Sequence, residues 1–365
     1  MNRRQALVAI GMPALQSIGR PVNGAAGVPA SPEAIAYPPV LAGIPLAFPA
    51  DHGAHPSFRT EWWYLTAWLD TPTESLGAQL TFFRVRTGLA KANPSRFAPR
   101  QFLFAHAAIA SRDTGLRFSQ SAARAGIGDA RYSTEDTRVA LGRWSLVRSA
   151  GDTYEALVRT RAFEFELHAD TPGPPVLQGR GGYSQKGPDP RQASYYYSRP
   201  GLRIRGRVRR HGDDPTPVTG TGWLDHEWSS ELLAANAVGW DWVGLNLDDG
   251  SAIMAFRMRT VDGTLYATGR RMRVDGSRST DFIPRFVVRR RWRSPRTGVE
   301  YPVAISLYVG ERRLDLEPLL DAQELDTRAS TGTRYWEGAV TVAEAGKTIG
   351  RGYLELTGYG EPIRF

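Results

Sequence analysis

The sequence contains no cysteine, and lysine occurs only at Lys91, Lys186 and Lys347. Without cysteine there is no disulfide framework, no thiol nucleophile, no thiolate zinc site and no cysteine-held iron–sulfur cluster. Histidine is scarce: His52, His55, His106, His168, His211 and His226 complete the set. No Gly-x-Ser-x-Gly elbow occurs, so a serine hydrolase of that type has no support. No GxGxxG or P-loop pattern follows a strand, so nucleotide cofactors have none either, and no cofactor is expected. Beyond residue 35 no amphipathic helical stripe is present. The apolar stretch near the start, residues 6–15, is too short for a bilayer core of ~30 Å.

What remains is an ordinary globular composition, with 41% hydrophobic and 23% charged residues in 365. That length suggests roughly two domains. The 38 glycines and 25 prolines point to many turns and short elements. The formal charge is +9, and arginine supplies all but three of the 46 basic residues. Such a bias fits a GC-rich genome, or a partner bearing phosphate or carboxylate groups. No nucleic-acid-binding module is visible, so nucleic acid is not an expected partner.

The first thirty residues read as an export signal. Arg3 and Arg4 form a basic start, the short apolar stretch follows, and small residues end at Gly24-Ala25-Ala26 or Val28-Pro29-Ala30. The adjacent arginines suggest the twin-arginine route and a periplasmic or secreted location. The alternative is a basic amphipathic N-terminus that stays attached.

Period-2 alternation dominates the rest, as in Val303, Ile305, Leu307 and Val309. Further strands are expected at residues 61–69, 79–85, 102–110, 154–158 and 163–168. Asp249-Gly250, Asp262-Gly263 and Asp275-Gly276 stand 13 residues apart. Asp-Gly favours two-residue hairpins with both central residues at positive φ. Strand, tight turn, strand is a meander, which tends to close into a barrel whose interior takes one small apolar ligand. The β pattern lapses over residues 229–237. The expected division is therefore a domain over 38–230 and a second over 236–365.

Chemistry-bearing residues gather in three places. The first holds Asp51, His52 and His55 followed by Glu61-Trp62-Trp63-Tyr64. The second is Trp223-Leu224-Asp225-His226-Glu227-Trp228, and the third Gly239-Trp240-Asp241-Trp242. In a strand Asp225 and Glu227 share one face, His226 and Trp228 the other. Trp240 and Trp242 likewise share a face that Asp241 opposes. Three readings stay open. His52, His55 and His226 with a carboxylate can hold zinc, which makes a metal-dependent hydrolase. A carboxyl raised by burial, or His226, can act as a general acid while indole faces steady a cation. The same residues can also form a buried network that fixes a barrel seam. Arg289-Arg290-Arg291-Trp292-Arg293 reads as a solvated face anchored by Trp292, with contact to lipid phosphates at a membrane surface as the alternative.

Taken in order, several stretches resemble the AttH-like "predicted secreted hydrolase" family, which is related to carotenoid 1,2-hydratase (hydroxyneurosporene synthase). They are His55-Pro56 with Glu61-Trp62-Trp63-Tyr64, Gln79-Leu80-Thr81-Phe82-Phe83-Arg84, His106-Ala107-Ala108-Ile109, and Leu177-Gln178-Gly179 with Gly182 and Lys186-Gly187. Tyr195-Tyr196-Tyr197-Ser198-Arg199-Pro200, the second and third clusters, Leu247-Asp248-Asp249-Gly250 and Gly352-Tyr353-Leu354-Glu355-Leu356-Thr357-Gly358-Tyr359 follow. The resemblance spans about residues 50 to 360. It implies an all-β chain of two tandem lipocalin-like (calycin) antiparallel barrels. It also implies an apolar substrate, an isoprenoid, carotenoid or lipid, and acid-catalysed hydration of a C=C bond without a cofactor, or hydrolysis. By resemblance Asp225 and His226 form the acid pair, Trp228 and Trp240 shield the cation, and Asp241 orients water. Glu61, Trp62, Tyr64, His106, Trp240 and Trp242 line the ligand. The alternative function is a non-catalytic carrier of the same ligands.

Overall fold

The computed structural model describes residues 36–88, 93–95 and 97–363. The expected export signal lies outside the described residues. Thirteen strands make one antiparallel sheet: β1 Thr60–Asp70, β2 Ser75–Arg86, β3 Gln101–Ser111, β4 Gly115–Arg124, β5 Ala130–Tyr132, β6 Arg138–Leu141, β7 Trp144–Arg148, β8 Thr153–Arg159, β9 Phe163–Asp170, β10 Val176–Leu177, β11 Tyr183–Gln185, β12 Ala193–Arg210 and β13 Thr216–Glu231. Ten make a second: β14 Gly239–Leu247, β15 Ser251–Thr260, β16 Gly263–Arg273, β17 Ser279–Phe282, β18 Arg285–Arg293, β19 Glu300–Val309, β20 Arg312–Pro318, β21 Glu324–Asp326, β22 Arg334–Glu344 and β23 Lys347–Thr357. The first runs β4-β3-β2-β1-β13-β12-β9-β8-β7-β6-β5, and the second β17-β16-β15-β14-β23-β22-β20-β19-β18. Both are curled into lipocalin-like barrels, as the alternation implies. Among the described residues there is no α-helix, and no helix long and apolar enough to cross a membrane.

The Asp-Gly spacing does set consecutive hairpins: β14 pairs β15, β15 pairs β16, and β16 pairs β17, all antiparallel. The expected turn type is corrected. Positive φ falls on the glycines, 75° at both Gly250 and Gly276, and not on the aspartates. Asp249 and Asp275 instead use their side chains. Asp249 accepts the Ser251 N–H at 2.8 Å and Asp275 the Ser277 N–H at 3.0 Å. Those are Asx turns, which a short carboxylate can close without a left-handed backbone.

Each sheet buries its concave side. Leu65, Leu80, Phe82, Leu103, Val158 and Leu224 belong to the first core, and Val243, Leu245, Ile305, Leu314 and Leu354 to the second. Each such side chain contributes ~1.5–3 kcal/mol on burial. The chain's own apolar side chains line both interiors. The convex sides then pack on each other. Tyr64, Trp68, Tyr196 and Trp223 of the first sheet meet Trp242, Met254, Phe256, Ala339 and Tyr353 of the second in one shared cluster. The strand alternation explains it. Tyr64, Thr66 and Trp68 of β1 point to the second sheet, and Trp63, Leu65 and Ala67 point inward.

Gly244 of β14 sits against this contact. A Cβ there would lie 2.5 Å from the Trp242 ring and 2.9 Å from that of Trp223. Gly244→Ala is expected to cost ~1–3 kcal/mol by overpacking. A urea midpoint unchanged from wild type would show that the two sheets yield more easily than this contact implies.

The arginine run lies on β18 at the surface. Arg289 meets Glu317 at 2.7 Å, Arg290 is paired with Glu317 and Asp321, and Trp292 stacks on Tyr301. It is an ion-paired, solvated face.

Candidate functional site

Strand β13 carries chemistry on both sides, and the two sides lead to different places. On the convex side, cross-strand registry lines up one row of polar residues per sheet. His106, Thr81, Tyr64, Asp225 and Ser198 stand side by side across β3, β2, β1, β13 and β12. Facing them, Phe256, Trp242, Glu355 and Glu337 stand side by side across β15, β14, β23 and β22.

Asp225 is 2% exposed. Its Oδ1 accepts from the Ser198 hydroxyl at 2.6 Å and the Trp223 indole at 2.7 Å, and its Oδ2 from the Tyr196 hydroxyl at 2.6 Å. Burial pushes its carboxyl up to about 7, against the pull of those three donors. The Trp242 indole donates to Tyr196 Oη at 3.2 Å, which ties the second sheet to this carboxyl. Next along β13, Glu227 pairs with the buried Lys186 at 2.9 Å, and the Lys186 ammonium lies 4.4 Å from the centre of the Tyr196 ring.

Glu337 and Glu355 are direct neighbours on β22 and β23. Two like charges so placed repel, which favours keeping a proton on one of them. Burial raises Glu355 to about 7, and Glu227 and Asp225 add to it, while the Trp240 indole at 3.1 Å opposes. Burial and then Glu355 drive Glu337 well above the carboxylate range. Glu337 Oε2 accepts from Gln79 at 2.7 Å. Tyr64 and Tyr335 lie beside Glu337 and oppose that rise with their hydroxyls.

On the other side of β13, His226 meets Glu61 at 2.9 Å and lies 4.8 Å from the Trp63 ring. Glu61 also faces His55 Nδ1 at 2.8 Å and accepts from Arg84 Nε at 2.6 Å. Trp228 stacks on His55 at 3.6 Å.

The structure thus divides the residues expected from the sequence. Tyr64, Trp240 and Trp242 share the inter-sheet cluster, Asp225 is hydrogen-bonded to its Tyr196 and Trp223, and the half-buried Trp62 lies at its edge. The expected Asp225/His226 acid pair does not form, because adjacent residues of a strand point to opposite faces. Trp228 is on the wrong face to shield a cation near Asp225. Asp241 does not orient water there either: it points into the second barrel, held by Arg257 at 2.6 Å and Arg259 at 3.0 Å. Glu61 lies in the histidine cluster, on the face of the sheet away from Asp225. His106 reaches across to Tyr335 at 2.8 Å and Ser330 at 2.9 Å, and burial lowers it to about 3, so it is neutral. The zinc set His52, His55 and His226 is corrected too: His52 binds the Tyr197 hydroxyl at 2.8 Å, and Glu61 takes its place beside the other two.

Sequence reasoning assigned no role to Tyr196, Glu355 or Glu337. Tyr196 and Glu355 stand inside motifs already quoted above, and Glu355 lies between Leu354 and Leu356. Glu337 carried no signal.

The sequence matches a family model described as AttH-like over residues 39–359. A crystal structure of a candidate AttH from Nitrosomonas europaea is 46% identical with a TM-score of 0.82, over 88% of this chain and 99% of that one. Kievitone hydratase from Nectria haematococca is similar in fold at a TM-score of 0.62 and 15% identity, over 89% of this chain and 97% of its own. CghA bound to Sch210972 is similar at 0.52 and 13% identity, over 82% and 88%. No protein of curated function matches the sequence.

Proposed function

The chain belongs to the AttH-like family, and from that premise we propose that it adds water to a C=C bond of an apolar, isoprenoid- or lipid-like compound between its two sheets. One observation carries the reading. Asp225 is a carboxyl raised to about 7, enclosed by Tyr196, Trp223 and Trp242, so about half of the molecules carry its proton at neutral pH in an aromatic site. An acid is most effective with its pKa near the working pH. One of the solved structures that share the fold is, by its name, a hydratase.

The steps balance without a cofactor. Asp225, with the Tyr196 hydroxyl on its Oδ2, gives a proton to the less substituted alkene carbon, and a C–H bond forms from the π pair. The tertiary cation left behind lies against the Trp242, Tyr64 and Trp223 rings, each worth ~0.5–2 kcal/mol of cation attraction. Water adds to the cation, and its surplus proton passes to Glu355. Glu355 and Asp225 exchange charge in one turnover, and bulk water restores both. A cleft of about 410 Å³ is lined by the 230–238 crossover, Arg59, Thr60 and Ile363. Leu233 and Ala237 of that crossover also pack on the inter-sheet core. Export across the inner membrane is part of the proposal, on the basic start and short apolar stretch of residues 3–15.

The test is incubation in H₂¹⁸O with a panel of terminal trisubstituted isoprenoid alkenes, followed by mass spectrometry. Hydrated product carrying ¹⁸O is expected. Ligands that bind and are recovered unchanged across the panel would sink the reading in favour of the carrier.

A further inference from the structure

The histidine cluster on the concave side of β13 takes no part in that reaction. We propose that His55 Nδ1, His226 Nε2 and Glu61 Oε1 form a binding site for a divalent transition metal of the zinc type. The three atoms lie within 4.8 Å of one another, and both imidazoles converge on the one carboxylate oxygen, at 2.8 and 2.9 Å. Two imidazoles and a carboxylate are a ligand set that zinc accepts, with ligand atoms ~3.3 Å apart around an ion at 2.0–2.1 Å. The two histidine–carboxylate contacts need open by only about half an ångström, and the two imidazole nitrogens, within 4.8 Å, close toward the same spacing.

The surroundings are those of a metal site. A ligating histidine commonly hands its other ring nitrogen to an acceptor that fixes the ring. His55 Nε2 faces Asp51 Oδ1 at 3.1 Å. His226 Nδ1 faces the Tyr197 hydroxyl at 3.2 Å, and that hydroxyl also meets His52 Nδ1 at 2.8 Å. Turning over the protons of this chain frees His226 Nε2: Nδ1–H donates to Tyr197, and Tyr197 donates to His52. Arg84 holds Glu61 Oε2, and the His55 backbone N–H is shared between Oε2 at 2.9 Å and Oε1 at 3.0 Å, so Oε1 keeps a lone pair for the ion. The Trp228 and Trp63 rings fix the two imidazole planes. Entry is along His55, whose side chain is 15% exposed, and water can complete the coordination there.

The experiment uses the full chain, tag-free and stripped of metal. It is titrated with ZnCl₂ by calorimetry, desalted, and assayed by elemental mass spectrometry; CoCl₂ gives a visible spectrum. One zinc per chain and intense four-coordinate cobalt bands are expected. His55→Gln and His226→Gln should each weaken zinc binding at least tenfold, and Asp51→Asn about tenfold. His168→Gln, which alters a surface histidine paired with Asp170, should change nothing. His55 is the least buried of the three ligands, so His55→Gln decides the matter if His226→Gln does not fold. Absence of stoichiometric zinc, or equal affinity in wild type and His55→Gln, overturns the proposal and leaves a purely structural ion-pair network. Hydration activity is read separately, so either proposal can fail alone.

Discussion

Arg84→Met is expected to cost about 3–5 kcal/mol of stability in metal-free protein at pH 7, the largest loss from any single change considered. Arg84 is 0% exposed and fully used: Nε on Glu61 at 2.6 Å, one terminal nitrogen on Gln101 at 2.8 Å, the other on the His55 and Phe58 carbonyls at 2.9 and 3.1 Å. Methionine matches much of the volume but supplies no donor. It leaves three acceptors short and Glu61, itself 0% exposed, without its cation. Burial alone would raise Glu61, but His226, His55 and Arg84 outweigh it and hold the carboxyl far below its usual range. A depressed carboxyl stabilises the fold above its unfolded pKa near 4, and the gain disappears only as pH falls through the folded value. The loss in Arg84→Met is therefore expected across neutral pH. Adding Glu61→Gln removes the stranded charge and should recover part of it. Guanidinium unfolding of the three variants measures this; a loss below ~1 kcal/mol in the single variant would mean that water reaches Glu61.

Asp225→Asn is expected to lower hydration turnover by about 10³-fold, within the 10²–10⁴ range of general acids, while raising stability above neutral pH. The sign follows from the direction of the shift. Asp225 is raised in the fold from 3.8 to about 7, so the folded state holds the proton more tightly. Stability from this group is full below the unfolded value and is lost as pH rises through the folded one. Asparagine has no such loss. Wild type and variant should unfold together near pH 4, and the variant should be ahead by roughly 1–3 kcal/mol near pH 8.5, below the ~4 kcal/mol that three pKa units represent. Its amide nitrogen must still find a partner among Tyr196 and Ser198, which trims the gain. A more stable, inactive variant is the signature of a site kept strained for its chemistry. Turnover retained in Asp225→Asn would remove Asp225 from the reaction, and a stability gap that does not widen with pH would mean an ordinary carboxyl.

Much of the architecture was legible because it is local. Period-2 alternation predicts strands and which residues share a face, and the Asp-Gly spacing predicts β14 to β17 in order. Alternation separated Asp225 from His226 and Trp240 from Asp241, and in both cases the structure follows it. The acid pair expected by resemblance ignored that alternation, and the strand face overrules it. The turn type was misjudged because Asp-Gly permits both a left-handed pair and an Asx turn, and local sequence does not choose between them.

What the sequence by itself determined is the class of fold, the faces of the strands and the residue types that can carry acid chemistry. What only the tertiary structure decided is which faces meet. Gln79 and Glu337 are 258 residues apart, Glu61 and His226 165, and Tyr196 and Trp242 46. Side-chain periodicity marks a face as buried without naming its partner, since apolar burial is non-directional. Only the packing of convex side on convex side brings Asp225 beside Trp242 and strips its water. That desolvation, rather than any motif, makes the carboxyl an acid at neutral pH.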